Sequence, residues 1–169
     1  MKHTISVTVE NKFGVLARVS GLFSSRGYNI DSLAVGETQD PSISRMTIVV
    51  KGDDKILEQV IKQLNKLVDV IEVTDLRSGS YVSRELLLIK VKYGARKRTE
   101  ILEIANVFRA KTVDIGHESL ILLITGTEEK IQAFIKLMKP FGIIELARTG
   151  RVAMLRELGN EYVEDAEIA

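Results

Sequence analysis

The stretch from Asn11 to Leu16 holds the residues best suited to bind a small ligand. It follows an alternating segment and precedes a helical one, so it joins a strand to the first turn of a helix. The free N–H groups of such a turn attract carboxylates, because they point outward and the helix dipole favours negative charge. Gly14 would let a ligand approach the backbone, and the Asn11 amide could donate and accept hydrogen bonds. These residues alone still favour a structural role, with Asn11 as a helix cap and Gly14 as a turn residue.

Two other turns carry polar groups. Asn29 follows Gly27 at the start of a strand, where it suits a turn better than a ligand contact. Gly94 and the basic run 96–98 occupy the corresponding place in the second half of the chain. A solvated loop explains that run better than a phosphate site does, since no Walker or dinucleotide glycine pattern is present.

The residue types that catalysis needs are sparse. His3 and His117 are the only histidines, and neither has a nucleophile or a paired carboxylate pattern beside it. The chain has no cysteine, which excludes disulfides, thiol nucleophiles and thiolate metal sites. Carboxylates are scattered without the spacing of a catalytic pair or a metal cluster. The sequence therefore predicts no catalytic or metal residues, and it disfavours a small enzyme.

Hydrophobic periodicity divides the chain into two similar series of elements. The first series predicts strands at 4–10, 28–37, 45–51 and 70–76, with helices at 14–25 and from 53 onward. The second predicts strands at 85–93, 111–115, 120–126 and 143–147, with helices at 99–109 and 128–138. We therefore predict an α+β fold of two tandem ferredoxin-like βαββαβ units, each an antiparallel sheet with both helices on one face. The expected bounds are 1–77 for the first domain, 78–83 for a linker, 84–150 for the second domain and 151–169 for a tail.

Helices on one face of a sheet leave the other face bare. In the first unit the predicted outer face is Thr4, Ser6, Thr8, Thr47 and Val49. In the second unit the residues predicted on the outer face are all apolar: Leu87, Ile89, Val91, Ile121 and Leu123. We expect another subunit or the tail to cover that second outer face.

Composition and charge argue against nucleic acid and membrane partners. Residues 1–83 carry 10 basic and 10 acidic side chains (net 0), residues 84–150 carry 12 and 8 (+4), and residues 151–169 carry 2 and 5 (−3). No segment has the basic excess of a nucleic-acid binder. RNA-recognition domains share the βαββαβ order but need stacking aromatic residues on the bare face, where this chain has Thr, Ser and aliphatic residues. With no signal peptide and no apolar run of membrane-spanning length, we expect a cytoplasmic protein.

Several stretches closely resemble the small regulatory subunit of acetolactate synthase (acetohydroxyacid synthase). They are the segments 10–19, 21–24, 26–30, 40–41, 44–48 and 64–70. The resemblance is dense over residues 5–75, which look like an amino-acid-binding ACT domain, and looser over 84–150.

This resemblance implies a non-catalytic regulatory subunit in branched-chain amino-acid synthesis. Its partner would be a large catalytic subunit that carries thiamine diphosphate, Mg and FAD, while this chain carries no cofactor. The small subunit would activate that partner and confer feedback inhibition by valine, in some cases by isoleucine or leucine. Two ACT domains would pair edge to edge in a homodimer, with effector sites at their interface. The effector-binding positions implied by the resemblance are all present: Asn11, Gly14, Val15, Leu16, Asn29 and Ile30.

A stand-alone amino-acid-responsive transcription regulator is the alternative function, because ACT-like modules occur there too. It needs a DNA-binding segment, and the sequence shows neither a helix-turn-helix pattern nor a basic arm. The second unit has Lys111 and Thr112 near the place that matches Asn29, so no effector site is expected there.

Overall fold

The computed structural model describes residues 1–94 and 97–156. Arg96 of the basic loop and residues 157–169 of the expected tail lie outside the described residues. The first unit consists of β1 (Lys2–Glu10), α1 (Val15–Ser25), β2 (Ile30–Glu37), β3 (Ile43–Lys51), α2 (Asp54–Leu64) and β4 (Val70–Asp75). The second consists of β5 (Tyr81–Lys92), α3 (Arg98–Val107), β6 (Lys111–Ile115), β7 (Ser119–Gly126), α4 (Glu128–Met138) and β8 (Ile143–Arg148), followed by β9 (Val152–Leu155).

Each unit forms one antiparallel sheet. The strand order is β2-β3-β1-β4 in the first sheet and β6-β7-β5-β8 in the second, and β9 pairs with the start of β5. The order within each unit is β-α-β-β-α-β, as the hydrophobic periodicity predicts. The predicted α+β fold of two tandem ferredoxin-like units is confirmed.

The helices form where an apolar stripe coincides with a suitable start. Asp53 begins α2, since its carboxylate accepts a hydrogen bond from the Ile56 amide at 2.9 Å. The apolar side chains of the two units form two separate cores, with Phe23 fully buried in the first and Phe134 in the second. Each unit therefore has its own core. None of the described helices is long and apolar enough to cross a membrane.

The predicted outer face of the second sheet is wrong at three of its five positions. Leu87, Ile89 and Val91 are fully buried against the helices of that unit. Ile121 and Leu123 do face outward, opposite Lys90 and Leu88 on β5. The error has a physical cause: residues 86–89 are all apolar, so alternation cannot show which side of the strand faces the core.

The outer face of the first sheet is covered, contrary to our expectation that it would be bare. Thr4, Ser6, Thr47 and Val49 are all buried. The cover comes from β9 and the start of β5, which pair from Tyr81↔Leu155 to Arg84↔Val152. The last three residues of the expected linker, together with Arg84, therefore form a two-stranded ribbon with residues 152–155 of the expected tail.

Polar contacts join the end of the second unit to the first. The Arg151 backbone N–H donates to the Ser32 hydroxyl at 2.9 Å, and its guanidinium donates to the Thr4 hydroxyl at 2.8 Å. Glu128, at the start of α4, pairs with Arg151 and accepts a 2.6 Å hydrogen bond from the Lys2 ammonium. This network ties β2 and β1 of the first unit to the second unit.

Candidate functional site

The turn between β1 and α1 leaves the start of the helix without a side-chain cap. Gly14 is the residue before the helix, with a left-handed φ of 80°, and within the described residues no side-chain capping hydrogen bond is made there. No acidic residue lies in that turn either. The interpretation of Asn11 as a helix cap is therefore wrong, and the amides of the first turn are suited to an anionic ligand.

Asn11 connects this turn to the β2–β3 hairpin instead. Its side-chain nitrogen donates to a Glu37 carboxylate oxygen at 3.0 Å and to the Pro41 carbonyl at 2.9 Å. Its backbone N–H donates to the Ser42 carbonyl at 2.7 Å. Its side-chain bonds to residues in the described part of the chain use the amide nitrogen, which leaves the amide oxygen to accept a bond from a ligand.

The hairpin that holds Asn11 is itself fixed by Asp40. The Asp40 carboxylate accepts bonds from the Ser42 hydroxyl at 2.7 Å and from the Ser42 backbone N–H at 2.9 Å. These hydrogen bonds stabilise the ionised carboxylate and so lower the pKa of Asp40 below its usual value.

Arg18 adds a positive charge that the sequence analysis did not single out. Its Nε donates to the Asp69 carboxylate at 2.7 Å, and Nη2 lies 2.6 Å from the same oxygen. A Cβ on Gly14 would lie 3.2 Å from Arg18 Nη1, so the guanidinium borders the turn. The sequence does place Arg18 one helical turn after Gly14, which could have indicated that its side chain lies near the turn. It gives no indication of the pairing with Asp69, which lies 51 residues away.

Val15 and Leu16 contribute to this turn in different ways. The Val15 side chain is buried in the core, and its backbone N–H donates to the Lys12 carbonyl at 3.3 Å, so Val15 shapes the turn from within. Leu16 is 43% exposed and presents apolar surface beside the turn.

Asn29 and Ile30 stand at the beginning of β2. Asn29 is exposed and donates to the Asp31 carboxylate at 3.0 Å. Ile30 packs against the first core, and a register shift in the β2–β3 pairing follows it. Among the described strands β2 pairs with β3 alone, so its other edge carries unpaired backbone groups.

The structure places the two groups of predicted site residues at opposite ends of β2. Asn11 contacts Glu37, the last residue of this strand, whereas Asn29 precedes the first. Eight residues of strand at about 3.3 Å per residue separate these ends by roughly 23 Å. Within one chain, therefore, the six residues do not form one pocket.

The two histidines lie in different surroundings. His3 is buried, with Nε2 lying 2.9 Å from the Gly52 carbonyl oxygen, and His117 is exposed. Residues 1–94 and 97–156 contain no group of three or more His, Cys, Asp or Glu side chains that could hold a metal ion.

Comparison with known families identifies both units. Residues 5–72 match the AHAS small subunit-like ACT domain, so the first unit is an ACT domain. Residues 84–157 match the family described as the small subunit of acetolactate synthase. The chain belongs to the acetolactate synthase small-subunit family, and the resemblance seen in the sequence is confirmed.

Individual relatives cover nearly the whole chain. The "Probable acetolactate synthase small subunit" of Archaeoglobus fulgidus is 60% identical over 156 residues, which are 92% of this chain and 98% of that protein. The acetolactate synthase small subunit of Aquifex aeolicus is 52% identical over 165 residues, 97% of this chain and 86% of that protein. The crystal structure of the Thermotoga maritima small subunit superimposes with a TM-score of 0.85 at 45% identity, covering 93% of this chain and 98% of that one.

Proposed function

We propose that this chain is the non-catalytic regulatory subunit of an acetolactate synthase. It binds a separate, large, thiamine-diphosphate-dependent catalytic subunit, with Mg and FAD also on that partner, and raises its activity. A branched-chain amino acid, valine first among them, binds the ACT domains and inhibits the assembled enzyme. The small-subunit names of the relatives support this role, and the cytoplasmic location expected from the sequence is part of the proposal.

The arrangement at the ends of β2 is the observation that carries the effector site. Among the described strands the outer edge of β2 is unpaired, and two such edges can pair antiparallel about a twofold axis. Antiparallel pairing sets the first residue of one strand opposite the last residue of the other. Asn29 and Ile30 of one copy would then meet Asn11 and the Gly14 turn of its partner. Two complete sites form in the homodimer from halves that are remote within a single chain.

The chemistry of the two halves suits an apolar amino acid. The uncapped amides beyond Gly14, with Arg18 beside them, favour the ligand carboxylate. The Asn11 amide oxygen can accept from the ammonium group. Leu16 of one copy and Ile30 of the other offer apolar surface to the side chain. Such a pocket separates ligands by only about 1–3 kcal/mol per methylene, so isoleucine and leucine are alternative effectors.

Ligand binding would act on the catalytic partner by favouring one arrangement of the dimer. A ligand that bridges two copies stabilises the arrangement in which both halves of the site are assembled. Couplings of this kind are worth about 1–3 kcal/mol, or roughly 5- to 150-fold in affinity.

Reconstitution tests the proposal. Acetolactate formation from pyruvate is measured with the catalytic subunit alone, with this chain added, and with this chain and valine. We expect no product from this chain alone, a higher rate from the mixture and a lower rate once valine is present. Product from the isolated chain would contradict the non-catalytic role, and an unchanged rate in the mixture would contradict the activating role.

A further inference from the structure

A groove lies between the free edge of β2 and the ribbon formed by β9 and the start of β5. It encloses about 550 Å³. One wall is the end of β2, from Ala34 to Glu37. The other is one face of the ribbon, where Val82 pairs with Met154 and Arg84 pairs with Val152. Neither Gly14 nor Asn29 lines the groove, and the two features meet at Glu37, which lines the groove and accepts the hydrogen bond from Asn11.

The ribbon side of this groove exposes apolar side chains to solvent, which is unfavourable in a monomer. Val152 is 55% exposed and Met154 60% exposed, whereas Ala153 between them is buried against the first sheet. On the neighbouring strand of the ribbon, Val82 pairs with Met154 and extends this apolar surface. A contiguous apolar patch beside an unpaired strand edge is typical of a surface that binds another protein.

The groove also carries unbalanced positive charge. Arg45, Arg84 and Arg156 line it, and Glu37 is its one acidic residue among the described ones. Arg45 Nε is buried and has no hydrogen-bond partner in the described part of the chain. A buried guanidinium nitrogen without a partner is costly, so an acceptor supplied from outside would be favoured.

We infer that a second copy of this chain fills the groove, so that the ribbon forms part of the homodimer interface together with β2. The inference rests on the pairing of β2 edges in the proposed function. If that pairing is centred on the middle of β2, Asp31 of one copy lies opposite Gly36 of the other, at the arginine-lined end of the groove. Asp31 is exposed and borders the outer face of its own sheet near Val49, the face on which the groove lies.

The same twofold axis brings the two ribbons together. Arg151 contacts Ser32 and the Ala153 backbone N–H lies 3.4 Å from the Thr47 hydroxyl, whose residue is paired with Ala34. Val152 therefore lies level with the middle of β2, next to the axis. An isologous interface sets each residue near the axis against its own copy, so the two Val152 side chains would be neighbours.

The absence of cysteine makes this inference directly testable in the full chain. Val152→Cys is treated with a short bismaleimide, and covalent dimers are counted by denaturing electrophoresis. The matched control is Val107→Cys on α3, an 80% exposed valine remote in sequence from the groove. We expect cross-linked dimer at position 152 and none above background at 107. In sedimentation, Met154→Glu should raise the dimer dissociation constant at least tenfold, while Val107→Glu should leave it unchanged.

The outcomes separate this inference from the proposed function. A wild-type dimer whose Val152→Cys variant cross-links no better than the control would overturn the ribbon interface and leave the β2 pairing intact. A wild-type chain that stays monomeric with and without valine would overturn both. Labelling of the Val152→Cys variant by a monofunctional maleimide distinguishes other occupants. Protection that grows with protein concentration supports a second copy, and protection independent of concentration would indicate residues 157–169 or a bound small molecule and overturn the inference.

Discussion

Gly150 is packed so tightly against Ser32 that a Cβ at position 150 would overlap the Ser32 hydroxyl oxygen. Gly150 is buried and has a φ of 76°, a conformation that other residues adopt at a cost. The next residue, Arg151, donates its backbone N–H to the same hydroxyl. Ser32 lies two residues after Ile30 on β2. The contact therefore fixes the strand that carries half of the proposed effector site to the end of the second unit.

Gly150→Ala should destabilise the chain for two reasons that add. The positive φ costs about 1–2 kcal/mol for a residue with a Cβ, and the overlap with Ser32 forces the ribbon to shift. We expect the free energy of unfolding, measured by urea titration, to fall by about 2–4 kcal/mol. The matched control is Gly21→Ala within α1, where a Cβ meets nothing within 4 Å. That control should be neutral or slightly stabilising, and equal losses in both variants would contradict the role of the contact.

How far the sequence predicts this fold depends on the strength of each local signal. Helix α4 has the predicted bounds, because Thr127 caps it and an apolar stripe fills its inner face. The inward and outward faces of β5 were predicted wrongly. Residues 86–89 are all apolar, so either set of alternate residues could face the core. Leu88 pairs with Leu123 on the outer face of the sheet. The sequence of one strand does not reveal this pairing.

The ribbon was missed for a different reason. The face it covers is made of Thr and Ser with one Val, and Thr and Ser normally indicate solvent exposure. Here the hydroxyls of Thr4 and Ser32 accept hydrogen bonds from Arg151, so polar residues form a buried contact. The Arg18–Asp69 pair joins residues 51 apart, and residue spacing gives no signal for it. The effector residues came from family resemblance, and their assignment as a binding site remains a prediction.

Gly14→Asp should abolish valine binding. The new carboxylate would stand at the uncapped first turn of α1 and repel or replace the carboxylate of the ligand. Aspartate tolerates the left-handed conformation better than most residues, so the fold should persist. Calorimetric titration with valine is the measurement, with circular dichroism as the check on folding. Asn65→Asp, an exposed change after α2, is the control and should titrate like the wild type. Unchanged affinity in Gly14→Asp would remove this turn from the site.

Asn29→His should weaken valine binding from the other half of the site. The imidazole is larger than the amide, and it would replace the group that donates to Asp31 at the start of β2. Because Asn29 is exposed in the single chain, the change should leave the stability of that chain within about 0.5 kcal/mol of wild type. We expect inhibition of the reconstituted enzyme to require at least tenfold more valine. Asn65→His serves as the matched control, and a wild-type inhibition curve for Asn29→His would exclude it from the effector site.

Acid should weaken the contact between the two units through Glu128. The hydrogen bond from Lys2, together with the charges of Lys2, Arg151 and Arg148, lowers the pKa of Glu128 below its usual 4.5, against an opposing effect of burial. A carboxyl whose pKa falls on folding stabilises the folded state while it is ionised. Its contribution is thus complete above pH 4.5 and is lost as pH falls through the lowered value.

Urea titrations from pH 7 to pH 3 should show wild type more stable than Glu128→Gln by about 1 kcal/mol at neutral pH, with the difference vanishing in acid. Glu103→Gln, on the exposed side of α3, is the matched control, and its stability at neutral pH should stay within about 0.5 kcal/mol of wild type. A constant gap between wild type and Glu128→Gln across this range would mean that the Glu128 contact does not depend on its charge.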